Sequence, residues 1–168
     1  MAQTRAVKMA GDVLEQAAEI YRICFNAPDK GENWTQETAR DYYRGLRDKD
    51  GLFWVIEKDG VIAGVCGGCP LERSDIAADL DDMEENCFYY AVASLSPAFQ
   101  GMGLGSQLFA DWLRLMKETD YQAVVGRCRA DNHAMLRIFL KNGFQEIKRY
   151  RAEMGSVVCD RVLLRKQL

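Results

Sequence analysis

Histidine, proline and long apolar runs are scarce in this chain of 168 residues. It has one histidine, His133, and three scattered prolines. A single imidazole argues against a histidine-built metal centre, and no linker or internal repeat breaks the sequence. No apolar stretch approaches the roughly 18 residues of a membrane-spanning helix. The opening Met1–Lys8 lacks the apolar core of a signal peptide, so a cytoplasmic protein with no membrane partner is expected. Six cysteines are present, and Cys66-Gly-Gly-Cys69 has the spacing of half a zinc site. A second such pair is absent, and two positions three apart on a strand face opposite sides. Reduced thiols filling core sites are expected, and no metal. With 22 basic and 25 acidic residues the net charge is -3, which gives no bulk field toward nucleic acid or anionic lipid. A content of 48% hydrophobic and 28% charged residues fits one ordinary globular domain spanning residues 1–168.

Periodicity supplies the elements. Arg5–Met9 reads as a short strand. Asp12–Phe25 has helical spacing at Val13, Leu14, Ala17, Ile20, Tyr21 and Cys24, with Asp12 as a cap. Thr35 caps a second helix through about Asp48. Leu52–Glu57 and Val61–Cys66 flank Lys58-Asp59-Gly60, a hairpin signal. Cys87–Leu95 is an aromatic strand, and Leu104, Leu108, Phe109, Trp112, Leu115 and Met116 form a helical stripe. Tyr121–Cys128 is a strand, Asn132–Asn142 a helix ended by Gly143, and Gln145–Arg151 and Val157–Leu164 two closing strands. Helices and strands alternate only in the middle, which predicts a mixed sheet in an α+β fold.

The most informative stretch is Leu95-Ser-Pro-Ala-Phe-Gln100-Gly-Met-Gly-Leu-Gly105-Ser106, which follows a strand and opens the best helix. A helix start offers unpaired N–H groups and about +0.5 charge, and glycines let a bulky anion approach the backbone. Phosphate or pyrophosphate is the ligand class. A P-loop would end in Gly-Lys-Ser/Thr, whereas Ser106-Gln107 follow Gly105. A dinucleotide turn would carry glycine or alanine where Ser106 stands, and would follow the first strand.

These residues resemble a family. Gln100-Gly-Met-Gly103-Leu-Gly105 fits the Q/R-x-x-G-x-G/A motif of the GNAT superfamily of N-acetyltransferases, and Leu95-Ser-Pro97 resembles its hydrophobic-x-Pro strand ending. Cys128-Arg-Ala-Asp-Asn132 through Phe139 to Gly143-Phe144 looks like a second family block, in order and spacing. The resemblance implies a central mixed β-sheet of about seven strands flanked by four helices and splayed between the fourth and fifth strands. It implies acetyl-CoA as co-substrate and direct attack by an amine within a ternary complex. The Leu95 and Ser96 backbone would meet the pantetheine arm. The amides of Gln100, Gly101, Met102, Gly103, Leu104, Gly105 and Ser106 would hold the pyrophosphate, and Asn132 would reach the cofactor from across the gap.

One departure stands out. The family often places tyrosine, as general acid, where this chain has Phe139. Tyr89 stands six residues before Leu95, where some members carry a glutamate base, and by alternation shares its face. Tyr90 has the opposite parity. Glu84 and Glu85, just before the strand, are candidate bases acting through water. Phe139 also keeps a non-catalytic acyl-CoA sensor of the same fold as the alternative. The acceptor class spans small molecules, peptide N-termini and lysines, and a homodimer is among the expected assemblies. Trp34, Phe53 and Trp54 are candidates to line an acceptor cleft. Charge is segregated: Asp75–Glu85 holds six acids and no base, while ten bases face four acids beyond Gly126. This predicts an acidic side for amines and a basic side for the cofactor, with Arg129 and Lys141 nearest the second block.

Overall fold

Thr35 begins its helix as the sequence predicts, through a reciprocal cap. Its hydroxyl accepts from the Thr38 amide (3.1 Å) and its amide donates to the Thr38 hydroxyl (2.9 Å). The computed structural model describes residues 1–82 and 84–168. In order the elements are β1 (Gln3–Val7), α1 (Gly11–Phe25), α2 (Gln36–Asp48), β2 (Leu52–Lys58), β3 (Val61–Pro70), β4 (Cys87–Leu95), α3 (Leu104–Met116), β5 (Ala123–Arg129), α4 (His133–Lys141), β6 (Gln145–Met154) and β7 (Val157–Gln167). Asp12 does not cap α1. Ala10 occupies the cap position with no side-chain bond, and Asp12 lies in the first turn, where its carboxylate meets the helix dipole. The β2–β3 hairpin turns on Asp59 and Gly60, both at positive φ (52° and 78°), as a two-residue turn requires.

The strands form one mixed sheet in the order β1-β2-β3-β4-β5-β7-β6. β4 and β5 are its parallel pair. α3 and α4 cover one face around Trp112, Phe88 and Phe139. α1 and α2 cover part of the other around Tyr43, Leu46 and Val65. The β3–β4 connection closes the rest of that face over Tyr89, Val125 and Leu163, through Leu71 and Ile76.

The parallel pair does not run the strands' full length. It begins at Cys87↔Ala123 and stops at Tyr90↔Gly126. Beyond that point β4 stays with β3, and Arg127–Arg129 stay with β7. A V-shaped gap opens between β4 and β5, where the splay is predicted.

At the same level β4 carries an extra residue. Gly67 pairs with Val92 and Gly68 with Tyr90, leaving Ala91 unmatched. Glycine is needed opposite this bulge, because a Cβ on Gly68 would stand 1.7 Å from the Tyr89 carbonyl oxygen. The bulge corrects the alternation argument. Tyr90 and Leu95 pack toward α3, and Tyr89 faces the opposite side with Leu71 and Ile76.

Candidate active site

The turn into α3 keeps its donors free. Gly101 and Gly103 take left-handed conformations (φ 79° and 75°), and Gly103 caps α3 with no side-chain bond. The chain supplies no partner for the backbone N–H groups of Gly101, Met102, Gly103, Leu104, Gly105 and Ser106 among the described residues. Six adjacent donors at a helix N-terminus suit a diphosphate. Gln100 is the exception within the predicted cradle, since its amide donates to the Pro97 carbonyl (3.3 Å). The Ser96 amide is likewise taken by the Ala63 carbonyl (2.8 Å), and the Leu95 carbonyl accepts the Cys24 thiol (3.1 Å). The side-chain carbonyl of Asn132 caps α4 by accepting from the Met135 amide (3.1 Å), which leaves its NH₂ group free at the gap.

A cleft of about 720 Å³ runs from this gap to the α1–α2 segment. Its far wall is aromatic. Tyr21 lies 4.6 Å from Phe25, 4.8 Å from Trp34 and 5.4 Å from Tyr42, centroid to centroid. Of the three aromatics named as cleft candidates, Trp34 lines it, whereas Phe53 and Trp54 are buried in the two main cores.

Tyr89 reaches the cleft from β4, and its hydroxyl makes no hydrogen bond among the described residues. Burial raises its phenol above the ordinary value, opposed by the nearby Arg127 and Arg161 guanidiniums, so the group carries its proton at neutral pH. Tyr90 also borders the cleft, from the α3 side of the sheet. It is 4% exposed and stacked on Trp112 at 4.1 Å. Phe139 is 1% exposed, packed on Phe144 (4.8 Å) and pressed against Gly126 at the fork of the gap. Its ring borders the cleft and has no proton to give. His133 is exposed at the rim.

Glu84 and Glu85 do not line the cleft. Glu84 is forked by Arg165 (2.7 and 2.5 Å), and this ion pair holds its carboxyl below the usual range. The structure thus does not bring these two candidate bases to Tyr89.

The charge pattern also takes a different form from the predicted one. The acids of Asp75–Glu85 act as a strap. Asp75 pairs with Lys49 (2.6 Å), Asp81 with Lys148 (3.0 Å) and Glu84 with Arg165. Asp79 accepts from Tyr150 (2.8 Å) and meets Arg127 (3.4 Å). Four of the six acids are therefore spent on bases elsewhere in the fold.

The cleft instead receives Arg127, Arg129 and Arg161. Strand alternation sends Arg127 and Arg129 to the same face as Val125, while Cys128 packs toward α4. Arg129 is held by Asp131 (3.1 Å) and the Lys30 carbonyl (3.4 Å), so it is committed on the acceptor face. The alternation of Arg127-Cys-Arg129 is the signal that could have placed these bases. Among the described residues, no group of three or more His, Cys, Asp or Glu side chains is set to hold a metal ion, and no helix is long and apolar enough to cross a membrane.

The sequence profile described as Acetyltransferase (GNAT) family matches residues 14–144. A Bacillus subtilis protein, provisionally named [ribosomal protein bS18]-alanine N-acetyltransferase, is 29% identical over 135 residues, covering 79% of this chain and 76% of that one. Among solved structures, the ribosomal-protein-alanine N-acetyltransferase of Brucella melitensis superposes with a TM-score of 0.76 over 99% of both chains at 16% identity. The ribosomal-protein-S18-alanine N-acetyltransferase of Escherichia coli gives 0.72 over 99% of this chain and 94% of that one, at 15% identity. A Salmonella typhimurium protein, provisionally described as an acetyltransferase and solved with acetyl-CoA, gives 0.71 over 99% and 94%, at 18% identity. At these identities the structural likenesses establish the fold.

Proposed function

The chain belongs to the GNAT acetyltransferase family and is an acetyl-CoA-dependent N-acetyltransferase; from that premise we propose that its acceptor is an α-amine, of the kind found at a peptide N-terminus. One observation carries this reading. The acceptor face is cationic: Lys30, Arg127, Arg129 and Arg161 outnumber Glu32, Asp75 and Asp131, and of these acids Asp75 is paired with Lys49, Asp131 with Arg129, and Glu32 accepts from the Trp34 indole (2.6 Å). Nearby guanidiniums disfavour an ammonium and so favour the neutral, nucleophilic amine. At pH 7 a lysine amine costs about 4.6 kcal/mol to deprotonate, and an α-amine about 1.4 kcal/mol. A site this rich in guanidiniums therefore suits the second far better. The Bacillus subtilis relative, named for an alanine amine, supports the same class.

Bound acetyl-CoA supplies the acetyl group as a thioester. The free amides from Gly101 through Ser106 hold its diphosphate, and the Asn132 NH₂ group donates to it across the gap. The aromatic wall at Tyr21 and Trp34 excludes water and positions the amine for direct attack, so that proximity supplies much of the rate. Tyr89 holds a proton at its Oη and passes it to the leaving thiolate, the task that Phe139 cannot perform, and the proton shed by the attacking amine restores the phenol. The test is CoA release and product mass across α-amines, lysine side-chain amines and polyamines at pH 7. The proposal expects alanyl peptides and amino-acid derivatives to outrun the others. Faster acetylation of lysine or polyamines would overturn it.

A further inference from the structure

Arg161, like the lysine at the cleft's edge, Lys30, has no counter-ion among the described residues. It stands opposite Arg129 on β5 and Tyr150 on β6. Arg129 has Asp131, and Arg127 has Asp79, but no carboxylate pairs with Arg161 among the described residues. Its Nε is shielded from solvent and has no hydrogen-bond partner. The polar contact of its terminal nitrogen is the Met154 sulfur, a weak acceptor. A shielded guanidinium with an orphaned donor is unfavourable unless an anion arrives. Arg161 lines the same cleft as Tyr89, beside Arg127, its diagonal neighbour across the β5–β7 ladder. The arrangement is a fork facing the place where the acceptor enters.

We propose that the acceptor carries a carboxylate close to its amino group, and that Arg161, with Arg127 beside it, binds that carboxylate. This rests on the α-amine reading above and narrows it. Two sources share the chemistry: the α-carboxylate of a free amino acid, and an acidic side chain in the first residues of a peptide. Holding the anion against Arg161 orients the amine toward Tyr89 and satisfies the orphaned Nε. Bidentate geometry makes arginine the suitable residue, and lysine a partial substitute.

The experiment compares kcat/KM, calculated per unprotonated amine, for acceptors with and without the carboxylate. Alanine is set against alaninamide, and C-terminally amidated alanyl peptides with Glu as second residue against the same peptides with Gln. At least one acid is expected to be preferred by about 10- to 100-fold, the worth of a charge-assisted hydrogen bond, and the preferred pair identifies the source. Arg161→Gln is expected to bring that ratio toward one, and Arg161→Lys to keep part of it, with thermal melts confirming that both variants fold. Equal use of acid and amide by the unaltered protein, or a preference that survives Arg161→Gln, would overturn the proposal. If lysine amines are acetylated and α-amines are not, the α-amine reading falls by itself. The same comparison, made with Nα-acetyl-lysine and its amide, then still decides the role of Arg161.

Discussion

The two walls of the cleft are built in different ways. The cofactor wall is local: consecutive residues leave β4, pass two left-handed glycines and open α3, and their backbone N–H groups do the binding. The acceptor wall is assembled from side chains distant in the sequence. Tyr21 comes from α1, Tyr89 from a bulged strand, Arg127 from β5 and Arg161 from β7. The first wall uses conformation and dipole, and needs no basic side chain. The second uses the charge and hydroxyl chemistry of particular residues, held in place by the acidic strap. Backbone recognition suits a co-substrate that is always the same, and side-chain recognition suits an acceptor that must be chosen.

Substitutions can separate the walls. The largest effect is expected from Gly68→Ala, which places a Cβ against the Tyr89 carbonyl. Denaturant unfolding should show a loss of about 3 kcal/mol or more, because backbone rather than a flexible side chain must move. Wild-type stability in this variant would mean that the bulge, and the facing of Tyr89 that depends on it, tolerates a side chain.

Gly103→Ala should act on the cofactor wall, since its φ of 75° is strained for an L residue and displaces the donors of the turn. Titration calorimetry should report acetyl-CoA binding weakened by about 10- to 100-fold, the value of one charge-assisted hydrogen bond, with unchanged circular dichroism. Unaltered affinity would remove the turn from the diphosphate site.

The smallest effect is expected in the strap. Arg165 depresses the Glu84 carboxyl, so this contribution is present above the ordinary carboxylate value and is lost as pH falls through the depressed one. Glu84 is more than a third exposed, so solvent screening limits the effect. Glu84→Gln should therefore cost under about 1 kcal/mol at pH 7, and the difference should vanish in acid. A cost that persists in acid would show that Glu84 acts by packing and not by its charge.

Legibility in the sequence followed the same division. The element order, the hairpin at Asp59-Gly60, the Thr35 cap and the glycine turn are all local, and each reads from a few neighbouring residues. Tyr89 departs from the expected face because strict alternation holds only without a bulge. The sign lay on the neighbouring strand, where Gly67-Gly68 marks a close backbone approach. Charge segregation along the chain was real, but three of the six acids, Asp79, Asp81 and Glu84, meet bases from beyond Gly126 across the fold. Sequence shows that Asp79 and Arg127 are opposite in sign; only the path of the β3–β4 connection over β5 and β6 shows that they meet. That Arg161 has no carboxylate partner among the described residues is visible only once the other pairings are known.

The central claim is that chemistry resides on the acceptor wall and co-substrate binding on the other. Tyr89→Phe tests it most directly, with steady-state turnover and acetyl-CoA affinity measured on the same preparation. The account predicts kcat lower by about 100-fold or more, the usual worth of a positioned proton donor, with acetyl-CoA affinity unchanged. A kcat within about threefold of the unaltered protein, or a loss explained by weaker acetyl-CoA binding, would contradict it.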